Sequence, residues 1–171
     1  VAALYESMKS LSSTQCDIDV YYVATVQEEI GAKGALTACY NIEPDIAIAI
    51  DVGHGKTPDV TEERSMKIGK GPGIESGSNI HRKVFETLVQ CAKDNYLDHQ
   101  IKVAPAMSGT DAMTMQIARY GTCTGVLSIP QKYMHTSVET MSMKDIILTG
   151  KLISAYVLQL CGADLEEMLC L

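Results

Sequence analysis

The sequence predicts an α/β domain built on a mostly parallel mixed sheet with helices on both faces. Apolar, β-branched runs without alternating charge recur along the chain ("DIDVYYVATVQ", "PDIAIAIDVG", "TGVLSIP"), and such runs read as strands covered on both sides in a parallel sheet. Segments of helical period separate them, and alternating strands and helices imply crossover connections. Polar groups able to bind metal or substrate follow the strand-like runs directly, where open α/β sheets place their ligands. With 171 residues, 46% of them hydrophobic, the chain can bury one sizeable core, and one domain is the expected count.

Taken in order, Val1, Leu4, Tyr5, Met8 and Leu11 predict an opening amphipathic helix. No capping residue precedes Val1, the expectation for a chain cut from something longer. The run from Asp17 to Gln27 predicts a buried strand ending at Glu28, and "GAKGALTACYNI" a short helix. "PDIAIAIDVG" predicts a second strand ending at Asp51, and "RSMKIGKG" a third short one before a glycine-rich turn. Asn79 is placed to cap a helix carrying Val84, Leu88 and Ala92. "HQIKVAPA" is strand-like, and "MSGTDAMTMQIARYG" reads as a loop and a helix stopped by Gly121. "TGVLSIP" follows, then "QKYMHTS". Ser142 with Asp145 marks the start of a last helix with Ile146, Ile147, Ile153 and Val157 on one face and Gly162 beyond its end.

Composition excludes several classes of function. A formal charge of −7, no Trp and a single Phe leave neither basic patches nor stacking platforms for nucleic acid. No apolar run is long enough for a membrane span and no signal peptide opens the chain, so a cytoplasmic protein is expected. The six cysteines, Cys16, Cys39, Cys91, Cys123, Cys161 and Cys170, show no C-x-x-C spacing and read as free thiols.

The adjacent acids Glu28 and Glu29 need a reason at a strand end, since paired carboxylates repel and are costly to desolvate. Asp51, the loop Ser108-Gly109-Thr110-Asp111 and His135 follow other strand-like runs. Carboxylates and an imidazole converging at one sheet edge have the composition of a divalent-metal site taking Zn²⁺, Co²⁺ or Mn²⁺. His54 reads as a solvated loop histidine, and "GKGPG" lacks the phosphate-loop pattern and reads as a turn.

"VATVQEEIGAKGA", "PDIAIAIDVGH", "IGKGPGI", "SGTDAM" and "GVLSIPQKYMHTSVE", in this order and spacing, resemble the catalytic domain of the tetrahedral (TET) metallo-aminopeptidases, also known as glutamyl or deblocking aminopeptidases or cellulase-M-like proteins. The resemblance covers nearly the whole chain. It implies a hydrolase that releases N-terminal residues from peptides through water bound by two divalent metals, zinc or cobalt. Glu28 matches the general base, Glu29 and His135 share one metal, and Asp51 serves the other. Ser108, Gly109, Thr110 and Asp111 would hold the substrate carbonyl or the developing oxyanion. The family's bridging aspartate, in an Asp-Asp-Arg-type segment, an earlier histidine ligand and the inserted domain that builds its homo-oligomer fall outside this chain. Residues 1–171 are thus expected to be part of a catalytic domain, inactive alone; the alternative is a non-catalytic binding or assembly domain with an incomplete metal site.

Overall fold

The computed structural model describes residues 1–106 and 108–169; Cys170, expected as a free thiol, lies outside them. The sheet is centred on β4 (Cys123–Lys132), which pairs in parallel with β1 (Ile46–His54) from Ile46↔Cys123 to His54↔Gln131. β2 (Gly73–Gly77) runs antiparallel to β4, β3 (Gln100–Ala104) runs parallel to β2, and the short β5 (Thr140–Met141) pairs antiparallel with the far end of β4. The order is β1-β4-β2-β3.

Alternation along β1 divides the core. Ile46, Ile48 and Ile50 face α3 (Arg82–Asp94) and α5 (Met143–Leu160) in a cluster with Val84, Leu88, Leu152 and Tyr156. Ala47 and Ala49 face the other way, against α2 (Lys33–Ile42) and the four-residue α4 (Ala112–Met115). A short α6 (Leu165–Leu169) closes the first layer with Leu169. Period-two side-chain placement is why a continuous apolar run suits a strand covered on both faces.

The opening helix forms as α1 (Ala2–Leu11) with Leu4 and Leu11 half-buried, Leu11 against the α3 and α5 cluster as expected, but its fully buried face is shifted. Ala3 and Ser7 are buried, while Val1, Tyr5 and Met8 are exposed. The reason is close approach to α5: a Cβ on Gly150 would lie 2.6 Å from the Glu6 Cβ and 2.8 Å from the Ala3 carbonyl oxygen. Ser154 donates to the Ser7 hydroxyl at 3.2 Å across the same crossing. Small residues alone fit between helices this close.

The expected first strand is not part of the sheet. From Asp19 to Thr25 the chain forms no strand and makes no backbone–backbone hydrogen bond. This arm runs beside β1 across a cavity of about 360 Å³ lined by Val20, Tyr22, Ala24, Ala47 and Ala49 among others. It is held at separate points instead. Tyr22 and Ser7 share a hydroxyl hydrogen bond of 2.9 Å, Thr25 donates to Asp111, and the Gly34 amide donates to the Val26 carbonyl at 3.1 Å. Gly34 permits that last contact, since a Cβ there would lie 2.5 Å from the Val26 oxygen.

Three further expectations are corrected. "RSMKIGKG" forms no strand: Glu62–Arg64 is a 3-10 turn and Met66 makes one isolated bridge to Gly55, while the neighbouring strand is Gly73–Gly77 in the stretch read as a turn. Asn79 does not cap α3, whose N-cap is His81; its side chain bonds the Ser108 amide and Gln116. Cys16 and Cys161 are joined in a disulfide that closes a separation of 145 residues, with Asp17 accepting from the Gly162 amide beside it. Such bonds belong to oxidising compartments and to intracellular proteins of hyperthermophiles. Cys39, Cys91 and Cys123 are free. The α5 start is as expected at Ser142, which accepts from the Lys144 amide, but the buried Asp145 turns away to accept from the Gly69 and Gly71 amides at 2.7 and 2.8 Å.

Candidate active site

Asp51 lies on β1, three residues before the strand ends, with Oδ1 accepting from the Val52 amide at 2.7 Å. The arm delivers Glu28 and Glu29 on a 3-10 turn, Glu28–Ile30, and not at a strand terminus as expected. Opposite strand faces therefore do not separate the two carboxylates; the turn does. Glu29 Oε1 lies 3.3 Å from His135 Nε2, with both side chains largely exposed. His135 stands just beyond β4, and its amide donates to Glu139 Oε1 at 2.7 Å.

Two turns at this edge hold residues in the left-handed region: Gln27 at φ 62° directly before Glu28, and Tyr133 and His135 at φ 58° and 61° after β4. Non-glycine residues in this region are uncommon and gather at functional sites, where surrounding structure over-determines them.

Asp111 lies in the loop before α4, where Thr25 donates to its Oδ2 at 2.6 Å while its Oδ1 is buried without a hydrogen-bond partner. The rest of the loop is bonded largely to its own surroundings. The Ser108 amide donates to Asn79 Oδ1, the Ser108 and Thr110 hydroxyls share a hydrogen bond of 2.9 Å, and the Ala112 amide donates to Thr110 Oγ1. Gly109, at φ 68°, makes the turn between them. α4 has only four residues, too short to present a strong helix end to an anion.

These groups act on one another's ionisation. Burial raises the Glu28 carboxyl above its ordinary range, and Asp51, Glu29 and Asp111 push it further while His135 opposes them. The Asp51 carboxyl is also raised, first by burial, then by Asp111 and Glu29, with the Val52 amide and the Lys102 ammonium acting the other way. Mutual repulsion of this kind is what a bound cation relieves. The donor set of carboxylates and one imidazole suits zinc, cobalt or manganese. Among the described residues, however, no three ligand atoms of this cluster lie within 4.8 Å of one another; the one group that close is Cys16, Asp17 and Cys161.

Thr25, Glu139 and Lys102 were not among the expected site residues. Glu139 lies within a quoted motif, but nothing local marks it as the acceptor for His135. Thr25 meets Asp111 across 86 residues and Lys102 meets Glu75 across 27, pairings that no spacing in one sequence encodes.

Comparison with known proteins agrees with the resemblance. The M42 glutamyl aminopeptidase family model matches residues 1–152. Lysyl aminopeptidase of Pyrococcus furiosus is 40% identical over 162 residues, covering 95% of this chain and 46% of the relative. The TET aminopeptidase of a marine sediment Thaumarchaeota archaeon superposes with a TM-score of 0.88 at 28% identity, over 97% of this chain and 48% of that one. The TET1 peptidase of Pyrococcus horikoshii, which can assemble into a tetrahedron or a large octahedral shell, superposes with a TM-score of 0.75 at 33% identity, over 91% and 46%. The chain spans about half the length of these proteins, and it belongs to the M42 glutamyl aminopeptidase family.

Proposed function

We propose that the protein carrying this chain is a metal-dependent aminopeptidase that releases N-terminal residues from peptides, with Glu28 as general base. The observation that carries the reading is the Glu29–His135 pair at 3.3 Å beside a cluster of Glu28, Asp51 and Asp111. Glu29 and His135 would hold one divalent ion and Asp51 would contribute to the other, with zinc or cobalt fitting these donors. When bound, two such ions supply polarisation of the peptide carbonyl and acidification of water. Glu28 takes the proton from the attacking water and returns it to the leaving amine, while the turn that carries it keeps it beside the metal-holding carboxylates. The loop from Ser108 to Asp111 borders the site and positions the scissile peptide. Peptide substrates and homo-oligomeric assembly belong to the same reading, supported by the family and by the assembling relative; a cytoplasmic setting joins it only as an intracellular protein that keeps the Cys16–Cys161 bond, as those of hyperthermophiles do.

One observation favours a second reading for residues 1–171 taken alone: the absence, among the described residues, of three ligand atoms of this cluster within 4.8 Å. Catalytic zinc normally takes three protein ligands. This favours, for residues 1–171 alone, an inactive part of the catalytic domain or a non-catalytic assembly domain.

The test is a pair of variants in the full-length protein. Glu28→Gln should abolish nearly all turnover of an aminoacyl-anilide with metal content close to wild type, whereas Glu29→Gln should lower metal affinity. Full activity in the Glu28 variant would refute the assignment.

A further inference from the structure

Next to the carboxylate cluster lies a buried ion pair that the proposed reaction does not use. Glu75 on β2 is fully buried, and its Oε1 accepts from Lys102 Nζ on β3 at 2.5 Å and from the Ser128 hydroxyl on β4, while its Oε2 has no partner. Lys102 also donates to Ser128 Oγ at 3.1 Å. The strand register puts these groups on the face that carries Asp51: Asp51 is the neighbour of Ser128 and Ser128 of Gly73, while Glu75, two residues along from Gly73, pairs with Lys102.

Gly53 leaves room on β1 for the Met66 methyl and the Lys102 head, since a Cβ there would lie 2.5 Å from the former. A Cβ there would lie 3.1 Å from Lys102 Nζ and 3.1 Å from the Ser128 Cβ. The ammonium thus reaches across β2 and β4 to rest against the bare backbone two residues beyond Asp51. A buried ion pair is a poor device for stability, because desolvation offsets most of the attraction and an apolar pair of the same volume does as well or better. Its position on the face that carries Asp51 supplies another reason for keeping it.

Resting on the divalent-metal reading of the site, we propose that Lys102 and Glu75 form a charge pair that sets the cation affinity of the Asp51 position, with the Lys102 ammonium held against Gly53, two residues along the same strand. The ammonium repels an incoming dication and offsets the acids when none is bound, and Glu75 partly cancels it. The burial of Glu75 and the packing of Lys102 against Gly53 hold both charges at fixed distances, so the balance is built into the sheet. Lys102, bonded to Glu75 and Ser128, acts through the Asp51 position and is a positioning residue.

Charge sign gives the test, by calorimetric titration of the metal-free full-length protein with Co²⁺ at constant pH and salt, alongside thermal melts. Lys102→Met should tighten Co²⁺ binding roughly tenfold, since it removes a positive charge that repels a dication. Glu75→Gln should weaken it, the double variant should return close to wild type, and Lys102→Arg should keep wild-type affinity. A purely structural pair would lower melting temperature in both single variants without splitting their affinities in opposite directions. If Lys102→Met does not fold, Glu75→Gln and the double variant carry the same contrast. Wild-type protein that takes up no Co²⁺ would overturn the site reading itself; wild-type binding with both single variants unchanged or shifted the same way would overturn the role of the pair alone.

Discussion

Removing the Cys16–Cys161 bond, by Cys161→Ser or by a phosphine reductant, opens a loop of 145 residues in the unfolded chain. Chain-entropy arithmetic for that closure gives about 5 kcal/mol at 25 °C, and native disulfides typically contribute about 2 to 5 kcal/mol. The folded state loses little else, because the Asp17–Gly162 hydrogen bond of 2.9 Å holds the two segments together beside the sulfurs. With an unfolding entropy of roughly 2.1 cal/mol/K per residue over 171 residues, the melting temperature should fall by roughly 6 to 14 °C. The assay is a calorimetric melt with and without reductant, with peptide mass mapping of protein purified without reductant. Wild type should shift and yield a Cys16–Cys161 linked peptide, and Cys161→Ser should ignore the reductant. Identical melts with no linked peptide would refute the reasoning and restore the free-thiol expectation.

Thr25→Val removes the donor to Asp111 Oδ2, whose companion Oδ1 already lacks a partner; it should lower kcat/KM of the full-length enzyme roughly ten- to a hundredfold, measured on an aminoacyl-anilide, as the arm bearing Glu28 loosens. Asp145→Ala leaves the Gly69 and Gly71 amides without their acceptor and should destabilise the fold by about 2 to 4 kcal/mol in denaturant titration. Asp51→Asn should raise the melting temperature of the metal-free protein at pH 7.5. The wild-type carboxyl is raised in the folded state, so its contribution to stability is present below the unfolded pKa and lost as pH rises through the folded one. The advantage of the variant should therefore vanish on acidification below the ordinary aspartate range, as melts across pH will read.

Much of the fold was legible because its determinants are local. The isoleucine and alanine alternation of "IAIAI" specifies β1, Ser142 specifies the start of α5, and Gly162, at φ 74°, its end. The candidate site residues stood out as residue types following strand-like runs and as ordered motifs, and of these the structure sets Glu29 beside His135. What no single sequence encodes is which surfaces meet. "DVYYVAT" has the composition of a strand, yet strand formation needs a neighbour's amides and carbonyls within hydrogen-bond reach, and across the cavity beside β1 none is in reach. The face of α1 was decided by the proximity of α5, which admits only Ala3 and Ser7. The pairing of Cys16 with Cys161, Thr25 with Asp111 and Lys102 with Glu75 was decided likewise by tertiary structure. Local propensity reads a few residues at a time, whereas hydrogen bonds, ion pairs and disulfides depend on distances set only after the sheet has brought remote segments together.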